Sequence, residues 1–92
     1  MGHYLVERYL PSTPIDDIEA AIERLDRAGA NGSGTRHVWS AVITAEETCL
    51  SLFEAASAEA VATANRAARF PFDRVVEASI ILPRNPRTGT NS

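Results

Sequence analysis

Two carboxylates, two imidazoles and one thiol are the groups in this chain best suited to chemistry. Glu7 lies within "HYLVERYL" (residues 3–10) and Glu77 within "DRVVEASIIL" (residues 73–82), with His3, His37 and Cys49 completing the set. Two carboxylates in a partly dry space repel unless a proton or a cation intervenes, so such a pair can serve as acid and base or hold a positive ligand. Arg74 and Arg36 are the candidate cations. Imidazole and carboxylate together suit a borderline metal such as nickel or zinc, which makes His37 with Glu7 the candidate metal pair. No HxH, HExxH or CxxC spacing is present, so there is no metal motif. Cys49 reads as a small buried hydrophobe. A Ser-His-Asp arrangement finds no support, because no serine sits on a nucleophile elbow.

The chain that must position these groups has 92 residues, 45% hydrophobic and 23% charged, with a formal net charge of -3. That suits one globular domain burying only about 60–65% of its unfolded surface, a shortage that a second subunit would relieve. The acidic balance argues against nucleic acid and anionic membrane, both of which reward a basic patch. One cysteine excludes an internal disulfide and points to a reducing cytoplasm. The start "MGHYLVERYLP" lacks the basic region and long apolar run of a signal peptide. No stretch approaches the roughly 20 apolar residues that span a bilayer. The expected location is the cytoplasm.

Residues 2–10 alternate and are rich in Tyr, Val and Leu, which predicts a first strand. "PSTP" ends it, with Thr13 as N-cap and Pro14 at the first helical position. Ile15, Ile18, Ile22 and Leu25 then form one aliphatic stripe, Asp16 and Asp17 favour the helix N-terminus, and Gly29 is placed to end the helix in a left-handed conformation. "ANGSGT" reads as a surface loop whose glycines form no phosphate-binding fingerprint. "RHVWSAVIT" and "TCLSLFEA", joined by "AEE", predict a β-hairpin. "SAEAVATANRAAR" predicts a second helix capped by Ser57, with Val61, Ala60, Ala64 and Ala68 buried. "FPF" breaks it before the fourth strand at 73–82. The order is β-α-β-β-α-β, a ferredoxin-like α+β plan with an antiparallel sheet ordered 4-1-3-2 and both helices on one face. Residues 1–82 make the domain, and 83–92 form a tail expected to be disordered.

Parity assigns the faces. With Val6 toward the helices go Tyr4, Leu10 and Arg8, the last near the strand end where its stem covers apolar surface. A hairpin centred on Glu46 pairs Val42 with Leu50 and Ser40 with Leu52, adding Val38, Val42, Leu50 and Leu52. The last strand adds Val76, Ala78, Ile80 and Leu82. The opposite face then carries His3, Leu5, Glu7 and Tyr9; His37, Trp39, Ala41 and Ile43; Cys49, Ser51 and Phe53; and Val75, Glu77, Ser79 and Ile81. No helix remains to cover it, and its apolar content needs a partner. A second copy, packed sheet to sheet, gives a homodimeric α+β barrel. Its interior holds the candidate ligand pocket of Glu7, Trp39, Ser51, Phe53, Glu77 and Ser79.

"YLVERYLP" (residues 4–11) and "FEAASAEAVATANRAARFPFDRVVEA" (53–78), with the spacing between them, resemble a family of small bacterial proteins of unknown function that open with a YLVER-type strand. The resemblance implies a dimeric α+β barrel and a link to nickel binding. The middle departs from the family pattern. Where the family reads W-x-H-S-Y-V this chain reads H-V-W-S-A-V, so His37 stands at the family's Trp and Trp39 at its His. The family's strand-three Cys falls on Ser51.

The expected function is a small dimeric binding module holding a small ligand or a metal ion between two sheets. An enzyme of the dimeric α+β barrel type, a cofactor-independent isomerase or oxygenase with Glu7 or Glu77 as base, is the alternative by fold analogy. A purely structural or regulatory dimer is the third. The same fold as an RNA-recognition module fails on charge and on its missing aromatic, basic third-strand motif.

Overall fold

A computed structural model describes residues 1–30 and 34–83. Residues 31–33 of the "ANGSGT" loop and the tail from residue 84 lie outside the described residues. β1 (Gly2–Tyr9) leads to α1 (Ile15–Ala30), then β2 (Thr35–Ile43) and β3 (Thr48–Ala55), α2 (Ala58–Ala67) and β4 (Arg74–Ala78). The sheet is antiparallel in the order β2-β3-β1-β4, the predicted arrangement. β4 stops at Ala78, short of the predicted Leu82. Among the described residues no helix is long and apolar enough to cross a membrane.

The local signals act as their chemistry dictates, with two exceptions. Ser57 caps α2, its hydroxyl accepting from Ala60 N–H at 3.1 Å. Thr13 does not cap α1: its hydroxyl donates to the Pro11 carbonyl, while the Pro14 carbonyl accepts the first helical bonds from Asp17 and Ile18. Gly29 lies inside α1 rather than ending it. A side chain there would come within 3.1 Å of the Thr35 carbonyl, so glycine lets β2 start close to the helix. Past α2, Arg69 takes the left-handed conformation and Phe70 turns back into the core. Arg24 of α1 donates to the freed carbonyls of Ala68 and Arg69, tying the two helices together.

The core lies between the helices and one sheet face, with Val6, Leu10, Cys49, Phe53 and Ala55 under Ile18, Leu25, Val61 and Phe70. That list corrects the predicted parity of β3. The hairpin turns through a 3-10 segment, Thr44–Glu46, with Glu47 left-handed, and it pairs Ile43 with Thr48 and Val42 with Cys49. The register differs by one residue from the expected pairing of Val42 with Leu50. Because side chains alternate strictly, that single step turns Cys49, Ser51 and Phe53 inward and Leu50 outward. β2 carries a bulge between His37 and Trp39, which makes Val38 the extra residue. His37 therefore shares the helix side with Ser40 and Val42, while Trp39, Ala41 and Ile43 face away. In β4, Val75 pairs with Val6 and packs on the core, so Val76 and Ala78 belong to the open face.

Candidate functional site

The helix-free face is built from alternate residues of all four strands. Leu5, Leu50, Leu52 and Val76 form its centre, with Trp39 and Ile43 beside them on edge strand β2. Leu52 is buried, yet Trp39 keeps 45% of its surface exposed. Two ion-pair groups flank this apolar ground. Arg74 clamps Glu7 with both arms of its guanidinium, at 2.9 and 3.1 Å. At the other end Glu54 receives Arg36 at 3.1 Å and lies 3.5 Å from His3 Nε2. The bidentate contact holds the Arg74 pKa above its ordinary value, chiefly through the hydrogen bonds and then through the charge.

Of the six residues expected to share a pocket, Glu7 and Trp39 do share this face. Ser51 and Phe53 lie on the other side of the sheet, both completely buried beneath the helices. Glu77 pairs with Tyr4, which puts it on the side opposite Glu7, and it is exposed at the edge of the sheet. Ser79 follows the end of β4. The carboxylate pair imagined for catalysis is therefore divided by the sheet. So is the metal pair: His37 is on the helix side, Glu7 is not, and one ion cannot bridge them. Both nitrogens of His37 have other neighbours, Nδ1 at 2.9 Å from Asp26 Oδ1 and Nε2 at 2.8 Å from Ser40 Oγ.

The largest departure lies on the helix side. Arg8, of like parity with Val6 and Leu10, is 1% exposed. Its Nη1 donates to Asn65 Oδ1 at 3.0 Å and to the Pro71 carbonyl at 3.2 Å, and its Nη2 donates to Ser51 Oγ at 2.9 Å. The guanidinium carbon stacks 3.6 Å from the centre of the Phe70 ring, a cation–π contact in dry surroundings. Asn65 is held in turn by donating from Nδ2 to the Val61 carbonyl. Burial pushes the Arg8 pKa down to about 10, so the group stays charged at neutral pH. No carboxylate approaches it among the described residues, and its Nε has no oxygen or nitrogen partner. Ser51 continues the network: its hydroxyl lies 2.7 Å from that of Ser40, which leads through His37 to Asp26 at the surface. An Asp-His-Ser sequence of contacts thus exists. Its serine is tied to a second, fully buried serine, which makes it part of the interior rather than an open nucleophile.

Residues 4–78 match a protein family described as the nickel-responsive, SCO4226-like proteins. The chain belongs to that family. A solved relative in fold is SCO4226 from Streptomyces coelicolor A3(2), with a TM-score of 0.75 at 21% identity over 87% of this chain and 99% of that one. No curated protein sequence matches the chain. For a member of the SCO4226-like family the donor set is thin: among the described residues no three of His, Cys, Asp and Glu come together. What one copy offers is two imidazole–carboxylate pairs, His3 with Glu54 on the open face and His37 with Asp26 on the helix side.

Arg8 and Asn65 are the site-like residues that sequence reasoning left out. A signal existed for each: Arg8 stands between two core positions of one strand, and Asn65 follows Val61 by one helical turn on the buried face of α2.

Proposed function

We propose that the protein is a nickel-responsive binding module that acts as a homodimer through its helix-free sheet face. The observation that carries the reading is Trp39, half exposed beside Ile43 and Leu52 on a face no helix covers. An apolar patch rimmed by fixed ion pairs is the usual anatomy of a subunit interface, with an apolar centre and a polar rim. His3 and Glu54, at one end of this face, supply the nitrogen and oxygen donors that nickel accepts. Two donors leave a divalent ion's coordination incomplete, and a second copy would bring two more. The family's description as nickel-responsive supports the same ion. Glu7 is a poor general base while Arg74 holds both its oxygens, so the geometry lends the enzyme alternative no support.

Sedimentation of untagged protein at micromolar concentration, with and without nickel, tests the reading. A dimer that takes up nickel through His3 is the expected result. A monomer under both conditions would overturn the interface, and a dimer that takes up no nickel would overturn the metal assignment alone.

A further inference from the structure

On the helix side of the sheet, away from the open face, the end of β1, the start of α1 and the β2–β3 hairpin enclose a cleft of about 170 Å³. Its floor is apolar, made by Leu10, Ile18 and Val42, and its mouth is polar, with Ser12, Thr44 and Glu47. A dry cavity of about 150 Å³ is enough for a benzene ring. The space therefore suits a compact body of one ring or a short branched chain.

The mouth has a sign. Glu47 accepts from Ser12 N–H through Oε2 at 2.7 Å, and its carboxylate has no cationic partner among the described residues. Asp16 and Asp17 in the first turn of α1 and Glu46 in the hairpin add negative charge nearby, and no arginine lines the cleft. The geometry around Glu47 is also held under load. Ser12 and Glu47 are non-glycine residues with φ of 56° and 52°; the Ser12 N–H bond to the carboxylate joins them, and the Glu47 carbonyl accepts from Leu10 N–H at 2.8 Å. Left-handed backbone at two facing non-glycine positions is unfavourable locally and persists where surrounding contacts over-determine it, as at ligand sites.

We propose that this cleft binds a small primary amine, its apolar body on Leu10, Ile18 and Val42 and its ammonium group on the Glu47 carboxylate. The Thr44 hydroxyl, at the same mouth, is a second acceptor for an ammonium proton. An alcohol of the same shape would keep the floor contacts and lose the charge. A carboxylate would be repelled.

The test is an amide NMR titration of the whole protein with benzylamine, benzyl alcohol and benzoate. Benzylamine should shift the amides of Leu10, Ser12, Thr44 and Glu47 saturably and bind about tenfold more tightly than benzyl alcohol, the value of a charge-assisted contact. In Glu47→Gln, which keeps an acceptor for Ser12 N–H and removes the charge, that preference should vanish while weak binding of both neutral and cationic rings persists. Ile15→Trp, at a half-exposed position on the rim, should block benzylamine and benzyl alcohol alike. Equal binding of the three, or a preference for benzoate at the N-terminal end of α1, overturns the assignment of charge. Shifts confined to the open sheet face, or no saturable shift with any probe, overturn the cleft as a site.

Discussion

Arg8 and Asn65, 57 positions apart, meet through a 3.0 Å hydrogen bond in which neither side chain touches solvent. The bond fastens β1 to α2 at the centre of the molecule. Each unsatisfied donor on a buried charge is costly, and Arg8 already has one at Nε, so the partners of its Nη atoms matter as much as the charge. Asn65→Ala should destabilise the fold by about 2–4 kcal/mol, measured by urea unfolding with an unchanged slope. A loss below about 0.5 kcal/mol would show that water replaces the amide at no cost.

The sign of the pH dependence follows from the same residue. Because burial holds Arg8 below the ordinary arginine range in the folded chain, at about 10, burial of its charged form opposes folding, and that opposition is constant below its folded pKa. Arg74 is raised, so its favourable contribution is complete below the ordinary value and is lost only above it. Neither arginine should give a slope to stability between about pH 6 and pH 9. Thermal melts of Arg8→Met and Arg74→Met should therefore run parallel to wild type across that range. A crossing of the curves would mean that another titrating group is coupled to one of them.

Glu7→Gln tests the rim pair. The contact with Arg74 is at the surface, where exposed pairs contribute little and molar salt shortens the Debye length to about the pair's own separation. The variant should melt close to wild type, and the small difference should shrink further in molar salt. A large loss that salt leaves untouched would show that a partner encloses the pair.

On the proposed sheet-to-sheet interface, Trp39→Asp should give a monomer at micromolar concentration where wild type is a dimer, with far-ultraviolet circular dichroism intact, since Trp39 lies outside the core of one copy. Retention of the dimer would move the interface off this face.

At the proposed site on the open face, nickel affinity should fall about tenfold or more in His3→Ala and in Glu54→Gln, as for the loss of one ligand or its orienting partner. His37→Ala should leave it unchanged, because both ring nitrogens of His37 have internal neighbours. Calorimetric titration of the untagged variants separates the two histidines; the reverse ranking would place the metal on the helix side.

Strand order, element sequence and the capping of α2 were legible because each rests on a local signal: alternation, a helical stripe, a serine at the right place. The faces of β3 and β4 were not, nor was that of His37 in β2. In β3 the error is one residue of hairpin register, decided by the left-handed Glu47 rather than by any apolar pattern. In β2 the bulge at Val38 changes parity midway, so His37 and Trp39 point oppositely although two residues apart. In β4 the register is set by polar contacts to β1, with Asp73 N–H donating to the Glu7 carbonyl and Tyr9 N–H to the Asp73 carboxylate. The parity of Arg8 was legible, but the partners that hold it were not, for a related reason. Its partners come from β3, α2 and the turn after it, and nothing in "VERYL" says that they will arrive.

The row of contacts from Arg8 through Ser51, Ser40 and His37 to Asp26 has unlike ends: a guanidinium only donates and a carboxylate only accepts. Every proton between them must then point the same way. With a single proton on the ring, at Nδ1 toward Asp26, Nε2 accepts from Ser40 and Ser40 accepts from Ser51. A second proton on the ring would turn Ser40 around, toward Ser51, and Ser51's own proton toward Cys49, whose sulfur lies 4.0 Å away. The imidazole, its side chain only 9% exposed, and the thiol in the core are thus ends of one directional object, in which a charge arriving beside Asp26 would be felt as a rotation of two hydroxyls beside the core.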